Sequence, residues 1–374
     1  MGSVISTDLA ETFDGEVVIA GRNLIRAREF ARSFRKSSIY GAAAEANNDA
    51  QMSKVLAGVD VLINATNYYF NIAVMRQALK NRVNYVDLGG LYHMTKKQLK
   101  LDSLFRKQGK VAILGCGSTP GITNILAHYG SERFDRIYTI DISFADKDYT
   151  KYNQPFVVPY SMQTVFDEFT KKPAVFANHK MHFVEPLSGE KYVSFPKPVG
   201  RVLCRYSLHS ELASIPQNMR DKGIKNCSFR GGWDEDFISK TKFLIDAGFA
   251  SESPVNIGGK LIVPRKITAA LLDRFLPPSN IKINDVEFLR VEITGTKNGK
   301  RKSLAVYCKA FSNKKHNIPA GSWDTGVPPS IIAQEICSGN VKYKGVTTPE
   351  KAIPVRLFLE YLKARGMEVF TKRS

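Results

Sequence analysis

Through its first 120 residues the chain alternates short apolar runs with stretches of helical periodicity, and this rhythm limits the fold more than any other feature. Ile5, Leu9 and Phe13 recur at four-residue spacing, as one face of a helix does. Glu16 to Ala20 is a brief apolar run of the kind buried in parallel sheets. Leu24, Ala27, Ala31 and Phe34 define a second helix, and Val59 to Ala65 the next strand. Ile72, Met75 and Leu79 predict a helix, Val83 to Asp87 a strand, residues 95–108 a helix and Val111 to Leu114 another strand. Strands and helices alternating at this pitch form βαβ units on a parallel sheet, so the fold class is α/β.

After residue 121 the rhythm changes. Arg136 to Asp146 and Val286 to Thr294 predict longer, half-buried strands. In the second, Leu289, Val291 and Ile293 alternate with Arg290, Glu292 and Thr294, and Asn298-Gly299 makes a two-residue hairpin turn into Leu304, Val306 and Cys308. The middle region is therefore α+β with a largely antiparallel sheet. Pro328-Pro329 is expected to open a helix, and Val355, Phe358, Leu359 and Leu362 define a last one, stopped at Gly366.

Charge and cysteine content remove several function classes. Fifty-four Lys and Arg against 35 Asp and Glu give a net charge of +19. That charge is spread along the chain, and its densest cluster, Lys297 to Lys302, falls on the predicted hairpin tip, so a solvated turn is expected rather than a nucleic-acid surface. The five cysteines are scattered, odd in number and without a CxxC pair, which argues against a disulfide framework and a zinc site and fits a reducing cytoplasm. No apolar run approaches the roughly 18 residues a membrane span needs. The N-terminus has no basic segment followed by an apolar block. No HExxH, Walker lysine or nucleophile elbow occurs. Cys116, between two glycines, reads as a small strand-end residue rather than a nucleophile.

Ligands of an open parallel sheet bind beyond the carboxyl ends of its strands. Here those ends are Ala20-Gly21-Arg22-Asn23, Asn64-Ala65-Thr66-Asn67, Asp87-Leu88-Gly89-Gly90 and Gly115 to Gly121. All are small, polar or glycine-rich, which lets backbone approach a ligand. Four in strand order predict a binding crevice. Asp87 is a candidate to hold an ammonium group, or else a turn-former bonding its own backbone. Tyr69 and Asn71 follow one loop and are candidates for contact with substrate. Gly117, Ser118, Thr119, Pro120 and Gly121 precede a helix carrying Asn124, where amides and hydroxyls suit an anionic or carboxamide ligand, or simply cap the helix. Arg230, before Gly231-Gly232, is a weaker carboxylate clamp, and Tyr160 and Arg205 are weaker still.

The segments VVIAGRNLIRA, DVLINATNYYFNIAVMRQAL, VNYVDLGG, LGCGSTPGITNILAHYG, LHSELASIP and GVTTPEKAIP resemble the saccharopine dehydrogenase family in order and spacing. The resemblance is greatest to its lysine 6-dehydrogenase and saccharopine reductase branch. It implies a Rossmann domain over residues 1–120, an α+β substrate-binding and dimerisation domain over 121–325, and C-terminal helices over 326–374 that return to the first domain. It also implies oxidation of an amino-acid amine, or reduction of the matching imine, with NAD or NADP. The His209-Ser210-Glu211 match makes His209 and Glu211 candidates for the base. Asn64, Ala65, Thr66 and Gly89 are expected to line the cofactor. Gly2 resembles the last glycine of the dinucleotide fingerprint, whose first strand and Gly-x-Gly are expected to be missing here. The parallel sheet should then have its central position empty or filled by another segment. Where saccharopine reductases have Asp-Pro-Gly, this chain has Thr119-Pro120-Gly121.

An NAD enzyme of this kind places an acid at the end of the second strand, to bind the ribose 2′-hydroxyl. Gly21 stands there instead and Arg22 follows, with Asn23 after it, which favours NADP through a guanidinium contact to the 2′-phosphate. The expectation is thus an NAD(P)-dependent, homodimeric oxidoreductase of amino-acid and lysine metabolism. A carboxynorspermidine-type imine reductase and a non-catalytic dinucleotide-binding protein are the alternatives.

Overall fold

The computed structural model describes residues 1–272 and 281–373. Its first part runs α1 (Gly2–Thr12), β1 (Val17–Gly21), α2 (Leu24–Ser33), β2 (Ile39–Ala43), α3 (Asp49–Leu56), β3 (Val61–Asn64), α4 (Asn71–Lys80), β4 (Asn84–Asp87), α5 (Leu91–Leu99), α6 (Asp102–Lys107) and β5 (Val111–Ile113). The second runs α7 (Ile122–Ser131), β6 (Arg136–Asp148), α8 (Met162–Thr170), β7 (Ala174–Ala177), β8 (Lys180–Phe183), β9 (Lys191–Ser194), β10 (Arg201–Tyr206), α9 (Ile215–Asn218), β11 (Asn226–Gly232), α10 (Glu235–Asp246), β12 (Val255–Ile257), β13 (Lys260–Ile262) and α11 (Pro264–Leu272). The chain ends with β14 (Asp285–Lys297), β15 (Lys300–Phe311), α12 (Ala320–Cys337), β16 (Gly345–Thr347), α13 (Pro349–Ala352), α14 (Val355–Ala364) and β17 (Glu368–Arg373).

All strand pairs of the first part are parallel, as its alternating pattern requires, but they form two groups. β1 pairs with β2, and β16, β5, β4 and β3 pair in that order. No described strand is hydrogen-bonded between β1 and β3. Side chains join the two groups instead: Ile5 and Leu9 of α1 pack with Val17 of β1 and Ile63 of β3.

The second sheet has nine strands among the described residues, β17-β15-β14-β6-β11-β10-β9 with β7 and β8 attached. Only the β6–β11 pair is parallel. One face of this sheet carries Ile140, Ile142, Leu289, Val291, Ile293 and Val306, which pack on Ile122 and Ile125 of α7 and on Val327 and Ile331 of α12. That contact clamps the two parts together and sets the carboxyl ends of β3, β4 and β5 beside one end of the large sheet.

Three expectations change. Pro328 and Pro329 lie inside α12 rather than opening it. The helix survives because nearly all its turns are buried, including Val327, Ile331 and Ile332, and packing outweighs the two lost backbone hydrogen bonds. The helix over 95–108 is two helices that break at Lys100–Leu101. The C-terminal segment is not only helical: β16 joins the parallel group, while β17 becomes an edge of the large sheet, with Phe370 stacked on Tyr307 at 5.3 Å.

Candidate active site

The strand-end loops are tied together by one buried carboxylate. Asp87, at the end of β4, accepts through Oδ1 from the amides of Gly89 (2.9 Å) and Gly115 (2.8 Å). Through Oδ2 it accepts from Asn71 Nδ2 (3.2 Å), Tyr85 OH (3.0 Å) and Gln98 Nε2 (2.6 Å). Burial pushes its carboxyl up, against the pull of these donors. Five protein donors leave no side for a substrate ammonium, so Asp87 positions the β4 and β5 loops rather than holding the amine. Asn71 is used in the same way: it also donates to Gly89 O and Gln98 Oε1 and accepts from Asn64 Nδ2. Asn64 in turn accepts at Oδ1 from the Thr66 amide (3.1 Å) and hydroxyl (2.7 Å). Gln98 and Tyr85, which complete this network, carry no local signal in the sequence because each sits in an ordinary helix or strand position.

The loop from Gly115 to Gly121 closes on itself. A Cβ at Gly121, where φ is +133°, would lie 2.1 Å from Gly117 O, so only glycine allows this approach. Gly89 has φ +112°, and a Cβ there would meet Pro120 at 2.9 Å. The first amides of α7 are already satisfied: Gly121 N donates to Asn124 Oδ1, Ile122 N to Gly117 O and Thr123 N to Ser118 O. The expected anion site at this helix start is therefore occupied by the loop's own carbonyls. Ser118 Oγ bonds Thr325 Oγ1 at 2.9 Å, and Thr119 is half-buried. Asn124 Nδ2 donates to Glu350 Oε2 (3.0 Å) and Ser214 Oγ (3.3 Å).

At the end of β1 the arrangement is open. A Cβ built on Gly21 meets nothing within 4 Å. Arg22 is exposed and its side chain makes no hydrogen bond or ion pair with a described residue, while Asn23 caps α2 by accepting from Arg26 N. Gly2 begins α1 beside β3: a Cβ there would sit 3.7 Å from Ala65 Cβ, an ordinary contact. Space beside Gly21 and an uncommitted guanidinium fit a phosphorylated ribose.

A buried set of ionisable groups lies where the first part meets the large sheet. His209 is 7% exposed and stacks on Phe229 at 3.7 Å. Its Nδ1 is 3.3 Å from Glu211 Oε2 and its Nε2 is 3.6 Å from Glu168 Oε1. Burial alone pulls the imidazole down, but the charges of Glu211 and Glu168 outweigh it and hold it up at about 9. The two flanking carboxylates thus favour the protonated imidazole over the neutral one. Glu211 begins a 3₁₀ turn and accepts from Thr123 Oγ1 at 3.0 Å. Glu168, from α8, accepts from Tyr160 OH. Ser210, between the two motif residues, lies against the strand-end loops, 3.4 Å from where a Gly89 Cβ would be.

Three further candidates are directed elsewhere. Arg230 alternates onto the face of β11 opposite Phe229 and spends its guanidinium on Asp141 (2.6 Å), Tyr206 OH (2.6 Å) and Gly189 O (3.0 Å), so it is no carboxylate clamp at this site. Tyr69 gives its hydroxyl to Asp167 of α8, a carboxylate also held by Arg265 at 2.5 Å, and so ties the first part to the second. Arg205 pairs with Glu190 and Glu235. Cys116 is fully buried and its thiol is pushed up by burial, which makes it inert.

Comparison with known proteins adds to this geometry. Residues 1–113 match the saccharopine dehydrogenase NADP binding domain, and residues 117–367 match the saccharopine dehydrogenase C-terminal domain. Carboxyaminopropylagmatine dehydrogenase of Synechocystis sp. is 24% identical over 373 residues, covering 95% of this chain and 91% of that protein. Carboxynorspermidine synthase of Vibrio alginolyticus is 23% identical over 400 residues, covering 98% and 94%. The fold is similar to that of apo saccharopine dehydrogenase (L-Glu forming) from Saccharomyces cerevisiae, with a TM-score of 0.75 at 16% identity, covering 99% of this chain and 96% of that one.

Proposed function

The chain belongs to the saccharopine dehydrogenase family of NADP-binding oxidoreductases, and we propose on that premise that it reduces an imine, formed between an amine and an amino-acid aldehyde, in the manner of a carboxynorspermidine synthase. Such a reduction adds a hydride to the imine carbon and a proton to its nitrogen. Bound NADPH supplies the hydride. The observation that carries the reading is a buried histidine set between the carboxylates of Glu168 and Glu211, whose charges favour its protonated form, at the junction of the strand-end loops and the large sheet. His209 holds the proton for the nitrogen, and its longer contact, 3.6 Å to Glu168, is the side at which a substrate nitrogen can enter. Thr123 and Tyr160 fix the two carboxylates by hydrogen bonds and so fix the imidazole. In the oxidative direction the same group, once neutral, accepts the proton.

The cofactor side rests on Gly21 and Arg22. Gly21 leaves room at the end of β1, and Arg22 offers a two-pronged contact to a 2′-phosphate. With the purified chain, NADPH fluorescence should fall only when both an amino-acid aldehyde and an amine are supplied. Arg22→Ala should weaken NADPH binding by roughly 10- to 100-fold and leave NADH binding unchanged. NADPH consumption by the aldehyde alone would point to a carbonyl reductase instead. Equal losses for the two cofactors would remove Arg22 from phosphate recognition.

A further inference from the structure

Between α10 and α11 the chain runs out into a two-stranded hairpin, β12 and β13, that turns at Gly258-Gly259. Both glycines have positive φ, as the tight turn of such a hairpin requires. Among the described residues these two strands pair only with each other. Residues 252–261 are exposed without a break. Directly paired residues share a face, which puts Val255 and Ile257 on one side of the hairpin and Leu261 on the other, so apolar side chains stand open on both. A two-stranded sheet with neither face covered is marginal in water, and its unpaired edges invite a further strand.

More apolar surface flanks the hairpin. Phe243 on α10, Phe249 in the turn after it, and Ile267 and Leu271 on α11 are exposed as well. At about 100 Å² each, the seven side chains present on the order of 700 Å², more than the roughly 300–600 Å² of the largest apolar patch on an ordinary monomer and close to the ~800 Å² that each partner gives to a stable interface. Charge decides what can cover them. Residues 235–272 hold four Asp and Glu against five Lys and Arg, so only +1 of the chain's +19 falls here. An anionic membrane or an acidic partner is attracted by an excess of cations, which this region lacks. Two copies of so basic a chain repel each other on average, and this near-neutral region is where they can meet without that repulsion.

The base of the hairpin is tied to the candidate active site. Arg265, near the start of α11, donates its amide to Ser251 O (3.1 Å) and its guanidinium to Ala250 O (2.9 Å) and Glu252 Oε1 (2.8 Å), where the chain enters the hairpin. The same guanidinium pairs with Asp167 of α8 at 2.5 Å. The next residue of α8 is Glu168, 3.6 Å from His209. We propose that two copies of the chain associate through β12 and β13, hairpin against hairpin across a two-fold axis, and that this contact steadies Arg265 and α8 and so holds Glu168 against His209. A two-fold axis sets an edge strand antiparallel to its own copy, so the open edges can pair as they stand. Arg265 and Asp167 are then positioning residues for the imidazole, a role that rests on the imine-reduction reading of His209.

Sedimentation velocity on the full chain at micromolar concentration tests the interface. The parent should be a dimer, and Ile257→Glu combined with Leu261→Glu should weaken association at least about 100-fold, with the milder Leu261→Ser acting in the same direction. Leu104→Glu, at an exposed leucine of α6, should leave the dimer intact. Both hairpin positions are exposed, so thermal melting should find the variants as stable as the parent, with NADPH binding unchanged. NMR titration of the histidines reads the link to the site: once the dimer is lost, His209 should hold its proton at least about tenfold less tightly. A monomeric parent, a charged hairpin variant that still dimerises, or a Leu104→Glu variant that does not, overturns the interface. A monomeric parent that floats with anionic vesicles assigns the apolar surface to a membrane and overturns it too. A dissociated variant in which His209 titrates as in the parent overturns the link. Neither readout uses turnover, so the imine-reduction reading stands or falls separately, in the NADPH assay.

Discussion

His209 faces Glu168 from α8, Glu211 from its own turn and the Phe229 ring from β11, with Tyr160 and Thr123 behind the two acids. Its proton is therefore a stability term. The imidazole lies at about 9 when folded against an ordinary value of 6.5. The stabilisation is then fully present below about 6.5, while the acids stay ionised, and is lost as the pH rises through 9. Urea unfolding between pH 6.5 and 10 should show the parent losing roughly 3 kcal/mol more than His209→Gln over that range. Parallel profiles would mean that His209 is neutral in the folded chain. The His-Ser-Glu motif pointed to this residue, but its charge was not legible, because Glu168 comes from a helix some forty residues earlier whose acid has no distinguishing neighbour. The acids that face each other on β6 and β14, Asp146 with Glu287 and Asp148 with Asp285, were closer to hand. The alternation that sets Leu289, Val291 and Ile293 inward also sets Glu287 and Asp285 inward when it is continued backwards, and two acids on an apolar face are a signal. Arg230 misled because its sheet face depends on register, which a lone arginine before two glycines does not reveal.

At the level of elements, the α/β alternation and the Asn298-Gly299 hairpin were legible because each follows from local periodicity or turn chemistry. The hairpin pairs β14 with β15 from Lys297↔Lys300 outwards. Less legible were α12, where tertiary burial overrides two prolines, and β17, a short strand with Lys and Arg that gains its place only from the edge of β15. The Gly115–Gly121 loop shows how one backbone position governs an element. Gly121 sets the start of α7, so Gly121→Ala forces a Cβ into Gly117 O at a φ that disfavours side chains. The substitution should cost roughly 2–4 kcal/mol in chemical unfolding and lower activity along with it, since the same loop abuts Gly89 and Ser210. An unchanged midpoint would show that the loop relaxes freely and is not the rigid support described here.

Across the whole molecule, the two parts meet through a continuous core, and no helix among the described residues is long and apolar enough to cross a membrane. Uncovered apolar side chains gather instead on α10, β12 and β13, where Phe243 is 68% and Leu261 75% exposed. The arrangement on which the proposed function rests is the junction: strand-end loops held by Asp87 on one side, the large sheet on the other, and His209 between them. If that junction reduces an imine, the transferred hydrogen must end on carbon bonded to nitrogen. The direct measurement is a turnover with NADPH deuterated at its transferable position, an amino-acid aldehyde and an amine, followed by mass and NMR analysis of the product. The account predicts one deuterium, on the carbon of the new C–N bond, and none when His209 is replaced by glutamine and turnover is lost. Deuterium on a carbinol carbon, or NADPH oxidised with no label in any amine product, would contradict it.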